Sequence, residues 1–248
     1  MLAEGILAEA GVVFLFGLLT ALATGLGALP FVFASNVSPR TIAIAESIAA
    51  GLMLGASVGL LLEGARYGMP QTLAGAALGL VFIVFGRRAL EGREVSLGGI
   101  RGAGARQVLL MVGVMTLHSF SEGVAVGVSF GGGKTLATLI TVAIAVHNIP
   151  EGLAISAVMR PKGASIPVCA GWSIFSSLPQ PLMAVPAFLF VDLFRPVLPY
   201  GLGFAAGAMV FMVFLELLPE AYAAARATTV GLAVSVSLGA MILFQRLL

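Results

Sequence analysis

Two histidines and two glutamates have the types and spacing of a metal site in this sequence. His118 is followed four residues later by Glu122, in HSFSEG, and His147 by Glu151, in HNIPEG; there is no third histidine. On a helix, a spacing of four sets both side chains of a pair on one face, one turn apart. Neutral imidazole with carboxylate is a donor set that suits zinc and the neighbouring first-row divalent metals. Two carboxylates brought together in an apolar interior repel until one takes up a proton, whereas a dication neutralises both.

The two segments are copies of each other. Residues 118–129, HSFSEGVAVGVS, align with 147–158, HNIPEGLAISAV. Consecutive helices joined by a short turn run antiparallel, so the copies form an inverted repeat that brings both His-Glu faces together near mid-bilayer. One such pair could be a hydrogen-bonded packing element, but a symmetric duplicate points to a shared site. Pro150, inside HNIPEG, has no N–H; it is expected to bend its helix and free the carbonyl of Val146 beside His147.

The elements that must position these groups are membrane helices. Of 248 residues, 59% are hydrophobic and 10% charged, against about 25% charged in a soluble domain. Residues 10–39, 67–86, 163–191 and 227–245 carry no charge at all, and about 20 apolar residues suffice to cross a bilayer. These runs lack period-2 alternation, which argues for helices and against an outer-membrane barrel. The expected fold is an all-α integral membrane protein. It forms one transmembrane domain over 1–248, with spans near 7–30, 41–63, 70–90, 106–130, 135–159, 164–191, 199–222 and 228–246. The first is expected to be a span rather than a cleaved signal, because Glu4 and Glu9 stand where a signal would carry positive charge. The composition excludes a cytosolic enzyme, a nucleic-acid binder and, with Cys169 the one cysteine, a disulfide scaffold.

Nine basic residues fall in one set of alternating loops (Arg40; Arg87, Arg88, Arg93, Arg101 and Arg106; Arg160 and Lys162; Arg226) and four in the other (Arg66, Lys134, Arg195, Arg246). The positive-inside rule then puts the first set in the cytoplasm and both termini outside. Residues 91–106 read as a mobile cytoplasmic linker. Its arginines are candidates for contact with anionic lipid headgroups.

Further polar residues lie along the predicted spans. Glu216 and Glu220, near the cytoplasmic end of the seventh, suit either solvation and pairing with Arg226 or an exit funnel for cations. Glu63 is a similar candidate at the entrance. Glu46 and Asp192 are expected to be solvated near interfaces, and Cys169 and Trp172 to be packing and interface residues. AAGLM at 49–53 echoes AAGAM at 205–209, which makes the second and seventh spans symmetry mates. Met53 in the first copy is either a soft thioether ligand or packing.

The doubled motif resembles that of the ZIP (Zrt/Irt-like) family of divalent-metal transporters, most closely its GufA-like prokaryotic branch. AAGLMLGASVGLLLEGA and AAGAMVFMVFLELLPEA are also similar to family sequence. The resemblance implies eight transmembrane helices with inverted-repeat pseudo-symmetry, and a metal site between the fourth and fifth helices made by His118, Glu122, His147, Glu151 and Met53. It implies transport of Zn²⁺ first, with Cd²⁺, Fe²⁺, Mn²⁺ and Co²⁺ as further candidates, into the cytoplasm by alternating access. The implied location is the inner cell membrane. The implied partners are the metal and the bilayer, with room for a homodimer and none for nucleic acid. Ser119 beside His118, Asn148 beside His147, and Gln180, where the family often has Glu, depart from the two-metal pattern; one strong site is expected. The rival expectation is an intramembrane metal-dependent hydrolase. It needs an open water position and a distinct acid or base.

Overall fold

Backbone amides in lipid must find partners within the chain, so spanning segments become helices. The computed structural model describes residues 2–33, 38–90, 94, 96–97, 99–130 and 133–247, and these are almost wholly helical. In chain order the helices are α1 (Leu2–Gly25), continued by a 3₁₀ stretch Leu26–Val32, then α2 (Pro39–Leu90), α3 (Ala103–Ser129), α4 (Lys134–Met159), α5 (Ile166–Ser177), α6 (Pro179–Leu189), the short α7 (Val191–Phe194), α8 (Leu198–Met212), α9 (Leu218–Ala224) and α10 (Ala227–Leu247). Among the described residues, six stretches are long and apolar enough to cross a membrane.

Three interruptions separate this pattern from the expected spans, and proline lies at each. The 52 residues of α2 are far more than one crossing needs; Gly68 departs from helical geometry (φ 170, ψ 106) two residues before Pro70, so the expected turn shrinks to a kink. The predicted helix over 164–191 breaks at Leu178 into α5 and α6, ahead of Pro179 and Pro181. The carbonyl of Phe175, which Pro179 has no N–H to serve, accepts the N–H of Leu178 at 3.2 Å. Between α8 and α9 a π turn, Val213–Leu217, precedes Pro219, whose missing N–H and crowded ring break the α ladder at Leu215. Pro150, by contrast, sits inside α4 without ending it.

The predicted linker is more ordered than expected where it is described. Strands β1 (Ser96–Leu97) and β2 (Ile100–Arg101) pair antiparallel, and Ile100 is buried in the main core. An apolar anchor in a polar stretch turns that part of the loop into a hairpin. Residues 91–93, 95 and 98 lie outside the described set.

The helices pack in two groups. In one, α2 lies along α8 and α10; in the other, α1 lies along α4, α5 and α6, and α3 along α6. The groups meet where α4 touches α2 and α3 touches α8. About two thirds of the apolar windows of α3 and α4 are buried by protein, against 17% of that of α10. The helices carrying the two motifs are therefore central, and α10 presents most of its surface to the surroundings.

Candidate metal centre

α3 carries His118 and Glu122, α4 carries His147 and Glu151, and all four side chains are buried. Their approach depends on the residue after each glutamate. A side-chain carbon on Gly123 would collide with the backbone of Gln180 on α6, and one on Gly152 with the carbonyl of Thr24 on α1. Only glycine lets those backbones come so close. Each copy of the motif thus pairs a ligand-bearing turn with a close helix contact.

The donor atoms form a small cage. His118 Nε2 lies 3.4 Å from Glu122 Oε1 and 3.0 Å from Glu151 Oε1; His147 Nε2 lies 3.8 Å and 3.2 Å from the same oxygens. The two Nε2 atoms are 3.4 Å apart. Zinc held tetrahedrally by nitrogen and oxygen at about 2.0–2.1 Å needs donors about 3.3–3.4 Å apart. The five separations here that involve a nitrogen, 3.0–3.8 Å, bracket that value, and all four donor atoms lie within 4.8 Å of one another. Ordinary packing would not require all four polar atoms to converge in an apolar interior, where each charged group costs on the order of 2.5–3.5 kcal/mol to insert.

Access is one-sided. A cavity of about 650 Å³ is lined by Glu122 and His147 at its floor and by Glu63, Arg66 and Arg195 toward the end of the molecule that carries them. The His147 side chain is 9% exposed while that of His118 is wholly enclosed, so an ion from this cavity meets His147 first. Glu63 is paired with Arg66 at 2.9 Å. The opposite end holds a separate cavity of about 580 Å³, lined by Arg87, Arg106, Gln107, Glu216 and Glu220, with none of the four cage residues in its wall.

The remaining predicted residues divide clearly. Gln180 is fully buried, and its Nε2 donates to Glu122 Oε2 at 2.5 Å. Asn148 Nδ2 donates to Gln180 Oε1 at 3.0 Å and to the carbonyl of Thr20 at 2.8 Å. Ser119 is buried, and its hydroxyl has no hydrogen-bond partner among the described residues. Met53 is fully buried within the main apolar core. Glu216 and Glu220 do not pair with Arg226 as one expectation had it. Glu216 lies 3.8 Å from Arg87, and Glu220 accepts from Gln107 Nε2 at 2.8 Å with Lys162 at 3.9 Å. The π turn before Pro219 displaces the end of α8 relative to a straight helix, and with it these carboxyls.

Glu46 corrects a second expectation. It is buried against Glu220 rather than solvated, because α2 already begins at Pro39 and carries Glu46 almost two turns into the bundle. Asp192 is exposed, Cys169 is buried, and Trp172 stacks edge-on against Phe175, as their types suggested. Sequence reasoning missed Gln107 and Lys162 as partners of Glu220, and Thr20 behind Asn148. A polar residue inside an apolar helix, as Thr20 and Glu46 both are, was the available signal.

Comparison with known proteins agrees with this geometry. The family described as ZIP Zinc transporter matches residues 98–223, which include both motifs. The chain is 48% identical over 92% of its length to a protein of Arabidopsis thaliana named as a candidate zinc transporter, and spans 37% of that protein. It is 33% identical to zinc transporter GufA of Myxococcus xanthus, over 83% of this chain and 86% of that one. It is likewise 33% identical to zinc transporter ZIPB of Bordetella bronchiseptica, over 84% and 72%. These relatives are named as transporters, and both carboxylates are committed to the cage, so the hydrolase reading finds no support. A doubled His-x-x-x-Glu cage on two central helices, a family match across half the chain and near full-length likeness to GufA together make this chain a member of the ZIP zinc transporter family.

Proposed function

We propose that the chain moves divalent transition-metal cations, zinc first, across a membrane through the His118, Glu122, His147 and Glu151 cage. The observation that carries this reading is the convergence of four buried donor atoms, all within 4.8 Å of one another, at the floor of a cavity open to one end. Cadmium, iron, manganese and cobalt suit the same donors, and selection among them follows geometry and supply.

The single transporter domain 1–248 has eight spans on this reading: the two legs of α2 on either side of Gly68 count separately, and α5 with α6 forms one crossing. Inverted pseudo-symmetry is supported by the matching contacts at Gly123 and Gly152, and by burial of Ala49, Ala50 and Met53 in one copy and Ala205, Ala206 and Met209 in the other. The end bearing Arg87, Arg160 and Lys162 faces the cytoplasm of a cell with this protein in its inner membrane, and both termini lie outside. The open cavity then faces outward, and alternating access delivers the ion inward. Met53 is a soft contact beside the cage that engages during transit, and one ion is held at a time. Glu63 forms part of the entrance and Glu216 with Glu220 part of the exit. A homodimer is compatible with this scheme.

Reconstitution into proteoliposomes with an enclosed zinc indicator tests the reading. Wild-type protein fills the vesicles with zinc, and His118→Ala or Glu151→Ala leaves them at the level of empty liposomes. Uptake by both variants at the wild-type rate would refute it.

A further inference from the structure

The cage depends on a group that does not belong to it. Glu122 presents Oε1 to the two imidazoles and Oε2 to Gln180. Behind Gln180 the hydrogen bonds run to Asn148 and then to the main-chain carbonyl of Thr20, itself in a turn closed by the Thr20 hydroxyl on the carbonyl of Gly17 at 2.7 Å. This row crosses α6, α4 and α1 to reach α3, and Asn148, Gln180 and Thr20 are all fully buried.

The chemistry of the row fixes its direction. A main-chain carbonyl only accepts, so Asn148 must turn its Nδ2 to Thr20. The same Nδ2 serves Gln180, which must answer with Oε1, and this leaves Gln180 Nε2 for a carboxylate that only accepts. A carboxamide is the side chain that can accept at one end and donate at the other. A carboxylate at position 180 would accept from Asn148 but meet Glu122 with like charge and no proton to offer. The backbone makes the contact tight: α6 starts afresh at Pro179, and Gly123 lets the main chain at Gln180 settle directly against α3.

We infer that Gln180 is a positioning residue for the metal cage, holding Glu122 by Oε2 so that one oxygen faces the ion. The inference rests on reading the cage as the transport site. Partners that orient a metal ligand in this way are typically worth about 10–100-fold in metal affinity.

Cobalt(II) titration of the purified full-length protein tests it, because the visible absorption of bound cobalt reports the geometry of its donors. Wild type is expected to bind one cobalt per chain with a tetrahedral spectrum. Gln180→Leu, which keeps the bulk but not the donor, is expected to bind about 10–100-fold more weakly with an altered spectrum. Gln180→Glu, which sets a like charge against Glu122 in place of the donor, is expected to change both the cobalt affinity and the spectrum. A Gln180→Leu protein with wild-type affinity and spectrum would overturn the inference. So would a Gln180→Glu protein with both unchanged, which covers the case in which the leucine variant does not fold. If wild type binds no cobalt and transports no zinc, the transport reading itself fails. If wild type does both and the variants match it, only the role of Gln180 fails.

Discussion

The four cage residues are not equivalent in access or in what surrounds them. His147 and Glu122 line the cavity floor, His118 and Glu151 are sealed, and Glu122 alone is held from behind by an amide. Loss of any one removes a donor from a set of four, so alanine at His118 or Glu151 is expected to remove zinc binding as well as uptake. Met53 is buried in the main apolar core, and the four donors converge without it. Met53→Ala is expected to weaken zinc binding but retain turnover; uptake and binding measured on the same preparations check this, and complete loss of uptake would make Met53 an obligatory ligand. The cage was legible in the sequence because charge is scarce there, and two histidines at the same spacing from two glutamates stand out. The row behind it was not, since Thr20 and Asn148 look like ordinary polar residues until α1 and α4 are packed together.

At the scale of elements, the close contacts decide where the ligands stand. Valine in place of Gly152 must push α1 away from α4 and is expected to cost on the order of 1–3 kcal/mol in stability, read as a lowered Tm in detergent, together with weaker metal binding. An unchanged Tm would mean that the contact is not held in solution. At the other end Glu220 on α9 receives Gln107 of α3 and faces Lys162 beyond α4, so the two groups of helices are tied together there while the opposite cavity is open. Gln107→Ala with Lys162→Met is expected to loosen that tie and shift the population toward the state open at this end. Faster thiol labelling of a cysteine placed at Phe211, in the wall of the nearer cavity, would report the shift; unchanged labelling would deny the tie any role. Helix existence was evident from the charge-poor runs. Their breaks were harder to foresee: Gly68, Leu178 and the π turn before Pro219 arise from prolines whose effect depends on the neighbour that rescues each freed carbonyl, as Leu178 rescues that of Phe175.

For the whole molecule the scarcity of charge sets both orientation and site. Exposed apolar side chains on α1, α2 and α10 form a surface suited to lipid, while among the described residues the buried acids are Glu122 and Glu151 of the cage and Glu46, which faces Glu220. A single-cysteine variant at Arg195, at the mouth of the open cavity, is expected to react with an impermeant thiol reagent added outside intact cells, and a cysteine at Arg88 only after the cells are opened. The reverse pattern would invert the assigned direction of entry. The claim on which entry, exit and the role of Gln180 all depend is that the ion sits among two imidazoles and two carboxylates. X-ray absorption at the zinc edge of the loaded, full-length protein tests it most directly. The account predicts nitrogen and oxygen donors at about 2.0–2.1 Å with the outer scattering of two imidazole rings, lost in Glu151→Ala. A shell without imidazole, or an identical spectrum in that variant, would contradict it.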